Sequence, residues 1–193
     1  MKADLKIVKN HNNSKKEYLL PCFLLVCFFI GLIIGIENTN KDNKEIKSLF
    51  FMFTLFKDID LSFVFKSAFS FMFYLLPGFF FSTSFVGFIL IPFECILLGF
   101  SVFTSYYEVL LILDNKASLL YLPLIALYSG FLLIYLSFCT VSSFKIYKEL
   151  CFKENESIEI RMIFKRNIKV FYSSLIIAAV FTFIYCVTIY LLI

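Results

Sequence analysis

The chain has 193 residues, of which 61% are hydrophobic, and it carries a formal net charge of +4. A soluble domain of this length cannot bury so much apolar surface, so the composition excludes an ordinary water-soluble protein. The basic residues flank the apolar runs and do not form one patch with interleaved aromatic residues, which argues against nucleic-acid binding. We expect the charge to determine membrane topology.

Long uncharged runs recur along the chain, and each reaches the roughly 18 residues needed to cross hydrocarbon. Backbone polar groups in a bilayer must be bonded internally, and the alternating pattern of a barrel strand is absent, so the runs are predicted to be helical. We expect an all-α, polytopic transmembrane helical bundle of about five helices. The predicted spans are 18–36, 67–89, 91–111, 119–142 and 170–193.

The basic tail 1–17 followed by an apolar run also resembles the start of a secretory signal peptide. The run 18–36 is long for a signal core, and no Ala-x-Ala-like site follows it. We expect an uncleaved first span. After it, the charged loop 37–66 has apolar residues at helical spacing, which predicts an interfacial helix in the headgroup region. These residues are Ile46, Leu49, Phe50 and Phe53.

The second, third and fourth predicted spans each contain a proline. Pro92 and Pro123 are predicted in the first turns of the third and fourth helices, where a missing N–H has no intrahelical partner. Pro77-Gly78 inside the second span is expected to kink it. A very tight turn is expected between the second and third spans.

Counting lysines and arginines outside the five spans predicts the orientation. With the N-terminus inside, twelve basic residues face the cytoplasm and six face out, so the positive-inside rule favours N-in and C-out. The loop 145–169 is then cytoplasmic and holds seven basic residues. Arg161, Lys165 and Arg166 alternate there with apolar residues, typical of a basic helix lying on anionic lipid. Docking of a cytoplasmic partner is the alternative.

The residues for intramembrane catalysis are missing from the predicted spans. The single histidine, His11, lies in the polar tail, and no aspartate lies in a span, which disfavours serine–histidine, zinc and aspartyl chemistry. We expect no enzyme activity, no metal and no cofactor. Five of the six cysteines lie in apolar runs, so free thiols are expected.

Glu94 is the one ionisable residue near a span interior, two positions after Pro92. A carboxylate inside a membrane is a candidate functional site because burying its charge is costly. The alternative interpretation, which we favour, places it in the first turn of the third helix near the headgroups, where a negative charge complements the helix dipole. The polar triplet Ser82, Thr83 and Ser84 could line a pore, or its hydroxyls could bond to their own helix.

Small residues indicate close helix packing. Gly31 and Gly35 form a Gly-x-x-x-Gly pair in the first span, Ser174 and Ala178 are spaced likewise in the fifth, and Gly99 lies in the third. Packing within the bundle is the interpretation we favour. Self-association into an oligomer or docking of a partner helix are the alternatives.

A series of short motifs runs from Phe63 to Gly130. Gly78 and Gly87 lie in the second span, Pro92 opens the third, Gly99-Phe100 follows, and Leu122-Pro123 stands at the head of the fourth. In order and spacing, this third of the chain resembles the stage II sporulation protein M family of multi-pass bacterial membrane proteins. That family often has Asn and Gly where this chain has Leu98 and Phe103, and Glu where it has Tyr121.

The resemblance implies a non-enzymatic scaffold in the bacterial inner membrane that holds cell-wall hydrolases at the septal membrane during engulfment of the forespore. Its partners would be the lipid bilayer and membrane or extracytoplasmic proteins. The alternative function is a membrane subunit or accessory permease of an ABC-type transporter, with Glu94 and Pro77-Gly78 near a pathway.

Overall fold

The computed structural model describes the backbone of residues 2–39, 68–69, 72–112, 115–152 and 157–192. Within those residues the chain forms helices and turns and no strand, which confirms the all-α prediction. The five helices are α1 (Lys2–Thr39), α2 (Leu75–Ser82), α3 (Gly87–Ile112), α4 (Asn115–Phe152) and α5 (Ser157–Leu192).

Four of the helices are long and apolar enough to cross a membrane. The candidate spans are Leu19–Asn38 in α1, Gly87–Tyr107 in α3, Leu122–Cys151 in α4 and Ile160–Thr188 in α5. Each has at least the 20 or so residues that match a hydrocarbon core of about 30 Å. The architecture is that of a multi-pass membrane protein.

Contacts along the bundle show the direction of each helix. Helices α1 and α3 run parallel, because Gly31 packs at Ile96 and Gly35 packs at Phe103. Helix α4 runs opposite to α3, since its Ser143 meets Phe88 at the start of α3.

The remaining two helices continue this alternation. Helix α5 runs opposite to α4, as the contacts of Phe138 with Arg166 and of Tyr128 with Phe181 show. Helix α2 runs opposite to α1 and α3, with Tyr74 beside Ser101 and its end near the start of α3. Successive helices therefore alternate in direction, so α1 begins and α5 ends at opposite ends of the bundle.

The predicted second span is not one continuous helix. Helix α2 has eight residues and is about 12 Å long at 1.5 Å per residue. It begins at Leu75, so Pro77 lies in its first turn, where no intrahelical partner is lost. A turn at 83–86 separates it from α3, whereas the prediction continued the span to residue 89.

The hydroxyls of the triplet account for the end of α2. Ser82, Thr83 and Ser84 donate to the carbonyl oxygens three residues earlier, at 2.7, 2.9 and 3.3 Å. Such side-chain bonds compete with the helical ladder and favour a turn. The three hydroxyls therefore bond to their own segment of the chain, as the second of the two interpretations proposed.

Several helix ends lie outside the predicted spans, because the helices are longer than the apolar runs. Helix α3 begins at Gly87, which puts Pro92 inside it, and α4 begins at Asn115, which puts Pro123 inside it. The segment 145–169, predicted as a loop that contains a basic helix, belongs to the two long helices over its described residues, since α4 continues to Phe152 and α5 starts at Ser157. Lysine, arginine and glutamate are good helix formers, so the end of an apolar run marks the edge of the membrane and not the end of a helix. The interfacial helix predicted around 46–53 lies outside the described residues.

The core lies where α2, α3 and α4 meet α1 and α5. Its largest fully buried side chains include Tyr74, Tyr128 and Tyr185, with Leu24 and Leu98. Cys27, Cys95 and Cys139 are buried among them, and all six cysteines are free thiols, as predicted. The outward faces of α1 and α5 are apolar, as the 57% exposure of Phe29 and the 70% exposure of Phe183 illustrate. Such faces suit lipid.

Candidate intramembrane site at Glu94

Glu94 lies inside the bundle and not at its edge. Its residue is 6% exposed, and it follows Gly87, the first residue of α3, by seven positions, or about 10 Å along the helix axis. Glu94 therefore does not lie in the first turn of its helix, where the favoured interpretation placed it. The error came from starting the helix at residue 91, since a proline usually opens a helix and Pro92 does not.

Neutral polar groups surround the Glu94 carboxyl. The hydroxyls of Tyr74 and Tyr135 and the thiols of Cys95 and Cys139 are all close enough to interact electrostatically with a charge there. No cationic side chain of the described residues acts on the carboxyl. The site therefore offers hydrogen-bonding groups but no counter-ion within the part of the chain that is described.

The carboxyl oxygens are not bonded to this surrounding shell. The backbone amide of Gly78 is close enough to favour a negative charge. Even so, neither oxygen of Glu94 has a partner in acceptable hydrogen-bonding geometry among the described residues. An ionised carboxylate without a partner is one of the most costly groups to bury. The geometry thus leaves two acceptor oxygens directed into the bundle interior.

Gly78 explains how α2 reaches this site. A Cβ placed on it would lie 2.9 Å from the Tyr135 ring and 3.1 Å from Leu136, so only glycine fits without displacing these side chains. The close approach brings the first turn of α2, with the positive end of its dipole, against Glu94. The sequence identified Gly78 as part of a kink, whereas its packing role depends on α4.

Hydrogen bonds between helices hold the α2 segment in this position. The Tyr135 hydroxyl donates to the Leu75 carbonyl oxygen at 2.9 Å, and the Tyr74 and Ser101 hydroxyls are 2.7 Å apart. Sequence reasoning missed these residues, because tyrosines and serines in apolar runs are common and their partners lie on other helices.

Two further cross-helix bonds fix the end of α2 and the following turn. The Ser143 hydroxyl donates to the Ser84 carbonyl oxygen at 2.7 Å and accepts the Phe88 N–H at 2.8 Å. Asn167 donates to the Ser82 carbonyl oxygen at 3.1 Å. Asn167 fell in the predicted loop, but a stripe of small and polar residues at helical spacing could have identified it. That stripe is Asn167, Ser174, Ala178 and Thr182, all of them buried.

The three glycines predicted for helix packing lie together at the crossing of α1 and α3. A Cβ on Gly31 would overlap the Ile96 carbonyl oxygen, and one on Gly99 would overlap the Phe28 carbonyl oxygen. Gly35 meets the Phe103 side chain one turn further along. The two backbones are therefore in direct contact, as small residues permit in membranes.

The chemistry open to this site is limited. The described residues include no group of three or more His, Cys, Asp or Glu side chains that could hold a metal ion. A carboxyl among hydroxyls and thiols can exchange a proton or accept a small cation, and the part of the chain that is described places no histidine or second carboxylate beside it. Among the described residues, Glu94 is a buried carboxyl with both oxygens outside the hydrogen bonds given above.

Comparison with known proteins yields no relative for this chain. No protein-family model matches it, and neither the curated proteins nor the solved structures include a significant match. The resemblance to the stage II sporulation protein M family therefore rests on the motifs between Phe63 and Gly130 alone. The chain is assigned here by architecture, as an all-α, multi-pass membrane protein.

Proposed function

We propose that the protein is a non-enzymatic integral membrane scaffold that anchors or recruits other proteins. The observation that supports this most is the use of its interior polar side chains. Tyr135, Ser143 and Asn167 all bond to main-chain groups of the α2 segment and its turn. A solute pathway needs polar groups that are open to the solute, whereas these groups are occupied in holding the bundle together.

The outward surface provides area on which partners can assemble. One face of α1 carries exposed large apolar residues over four turns, from Phe23 through Phe29 to Ile36. Lipid satisfies such a face, and so do the transmembrane helices of another protein. The proposed partners are cell-wall hydrolases at the septal membrane of a bacterium. This part of the proposal is supported by the motif resemblance alone.

Affinity purification of the tagged full-length protein tests the proposal. The protein is extracted from its native cells in mild detergent, and the proteins that co-purify are identified by mass spectrometry. Cell-wall hydrolases or septal proteins in stoichiometric amounts support the scaffold. A stoichiometric ATPase contradicts it and identifies a transporter subunit instead.

A membrane subunit of an ABC-type transporter is the second candidate, and Glu94 is the observation that favours it. Its buried carboxyl has no hydrogen-bond partner among the described residues, so a polar or cationic solute passing through the bundle could bind there.

Glu94→Gln separates the two candidates, because it keeps the shape of the side chain and removes its charge. A scaffold should recruit its partners at wild-type levels with this variant, whereas a transporter coupled through Glu94 should lose activity. Glu37→Gln is the matched control, since Glu37 is exposed at the end of α1. If Glu94→Gln keeps full transport by a purified complex, coupling through this carboxyl is excluded.

A further inference from the structure

We propose that the cleft between the end of α4 and the start of α5 binds the headgroup of an anionic phospholipid. The cleft has a volume of about 220 Å³ and is lined by Lys145, Glu149, Met162, Ile163 and Arg166. This site is separate from Glu94, and it does not depend on the scaffold or transporter proposal.

The position of the cleft along the bundle matches the headgroup layer. From Val170 to Thr188, α5 is uncharged over 19 residues, or about 28 Å, which is close to the thickness of the hydrocarbon core. On α4 the uncharged run ends at Lys145. Arg166 lies opposite Ser142, next to that end. The cleft therefore lies where both helices leave the hydrocarbon.

Arg166 is held in a geometry suited to a phosphate. Its guanidinium lies over the Phe138 ring, 5.1 Å from the centroid, and one of its nitrogens is 3.5 Å from the Ser142 hydroxyl. The ring and the hydroxyl orient the planar guanidinium. It has five N–H donors, and the long contact with Ser142 leaves most of them for a ligand. A guanidinium oriented in this way binds two phosphate oxygens at once.

The other lining groups define the class of lipid. Lys145 adds a second positive charge, and the Glu149 carboxylate reduces the net charge of the cleft to +1. A headgroup that carries one phosphate charge and a hydroxyl fits this arrangement, since the phosphate pairs with the cations and the hydroxyl can donate to Glu149. Met162 and Ile163 supply an apolar wall for the upper acyl chain. Phosphatidylglycerol has this combination.

Exposed cations around the cleft would concentrate anionic lipid near it. Arg161, Lys165 and Lys169 are exposed on the same part of α5 but do not line the cleft. Each attracts an anionic leaflet without selecting one lipid molecule. They serve as matched controls, because removing one of them changes the charge without changing the cleft.

Native mass spectrometry of the full-length protein, released from mild detergent and titrated with phosphatidylglycerol, tests the proposal. Loss of a charged hydrogen bond should raise the Kd of the tightest-bound lipid about tenfold in Arg166→Gln or Lys145→Gln. Lys165→Gln and Arg161→Gln should change it by less than about twofold. Arg166→Lys, which keeps the charge, should fall between them because the bidentate contact is lost.

Three results would overturn the site. Equal losses of lipid affinity in the cleft variants and in the control variants would show that net charge alone attracts the lipid. Binding of phosphatidylcholine as tightly as phosphatidylglycerol would show no selection for an anionic headgroup. Displacement of the lipid by millimolar inorganic phosphate would show a site for the free ion and not for a lipid.

Discussion

The side-chain amide of Asn167 in α5 donates a hydrogen bond of 3.1 Å to the carbonyl oxygen of Ser82 in the last turn of α2. The two residues are 85 positions apart, and they are 2% and 1% exposed. The last carbonyls of a helix have no partner within that helix. Asn167 therefore caps α2 from another helix, at a position that is buried from water.

Replacing Asn167 with leucine should destabilise the bundle. The variant keeps a similar volume but leaves the buried Ser82 carbonyl oxygen without its donor, at a cost of about 0.5–2 kcal/mol. Thermal unfolding of the purified protein in detergent, followed by circular dichroism, measures the loss. Ser173→Ala is the control, because the exposed Ser173 hydroxyl bonds only to the Lys169 carbonyl oxygen of its own helix. Equal stability of the two variants would show that the Asn167 bond contributes nothing.

Ser143→Ala should be more harmful than an ordinary serine deletion in a transmembrane helix. Its one hydroxyl bonds to both Ser84 and Phe88, so the substitution leaves the Phe88 N–H at the start of α3 without its acceptor. It also removes the shorter of two bonds to the Ser84 carbonyl oxygen, which then keeps only the Gly87 N–H at 3.4 Å. We expect a loss of about 1–3 kcal/mol. Ser137→Ala on the same helix should cost less than about 0.5 kcal/mol, since that hydroxyl bonds only to its own helix at Leu133. Reversible unfolding of both variants in mixed micelles compares them, and a difference near zero would contradict the bridging role.

Glu94→Met tests the carboxyl as a structural element. The substitution removes a buried polar group that has no hydrogen-bond partner among the described residues, and it keeps an apolar side chain of similar length. Replacing buried ionic groups by apolar ones is often neutral or stabilising by about 1–4 kcal/mol. We expect Tm in detergent to stay the same or rise. A clear fall in Tm would mean that the carboxyl is bonded in the folded protein and would argue for a structural role.

Hydropathy and packing motifs in the sequence were sufficient to predict the long helices and one helix crossing. Uncharged runs located all four long helices, and the Gly31–Gly35 pair lies at a real helix crossing. What it could not report was the partner of each polar group, because Asn167 and Ser82 meet only after folding. The break in α2 was missed for a related reason. The uncharged run continues through Ser82 to Ser84, while the local bonding of their hydroxyls ends the helix.

The position of Glu94 along its helix also could not be predicted from the sequence. Pro92 predicted a helix start at the membrane edge, and that placed the carboxyl among the headgroups. The structure begins α3 at Gly87, because the turn at 83–86 is held by Ser143 from α4. The start of this helix, and with it the position of the carboxyl, depends on contacts with a distant helix that the sequence does not reveal.

The direct contact between α1 and α3 can be tested with the same substitution at two glycines, one at the crossing and one away from it. Gly31→Ala places a methyl group onto the Ile96 carbonyl oxygen, whereas a Cβ at Gly130 meets nothing within 4 Å. Gly130→Ala should be neutral or stabilising by up to about 1 kcal/mol through helix propensity. Gly31→Ala should cost about 1–3 kcal/mol, because one helix must move away from the other. Unfolding in detergent measures both, and a Gly31→Ala variant as stable as Gly130→Ala would contradict the direct backbone contact between α1 and α3.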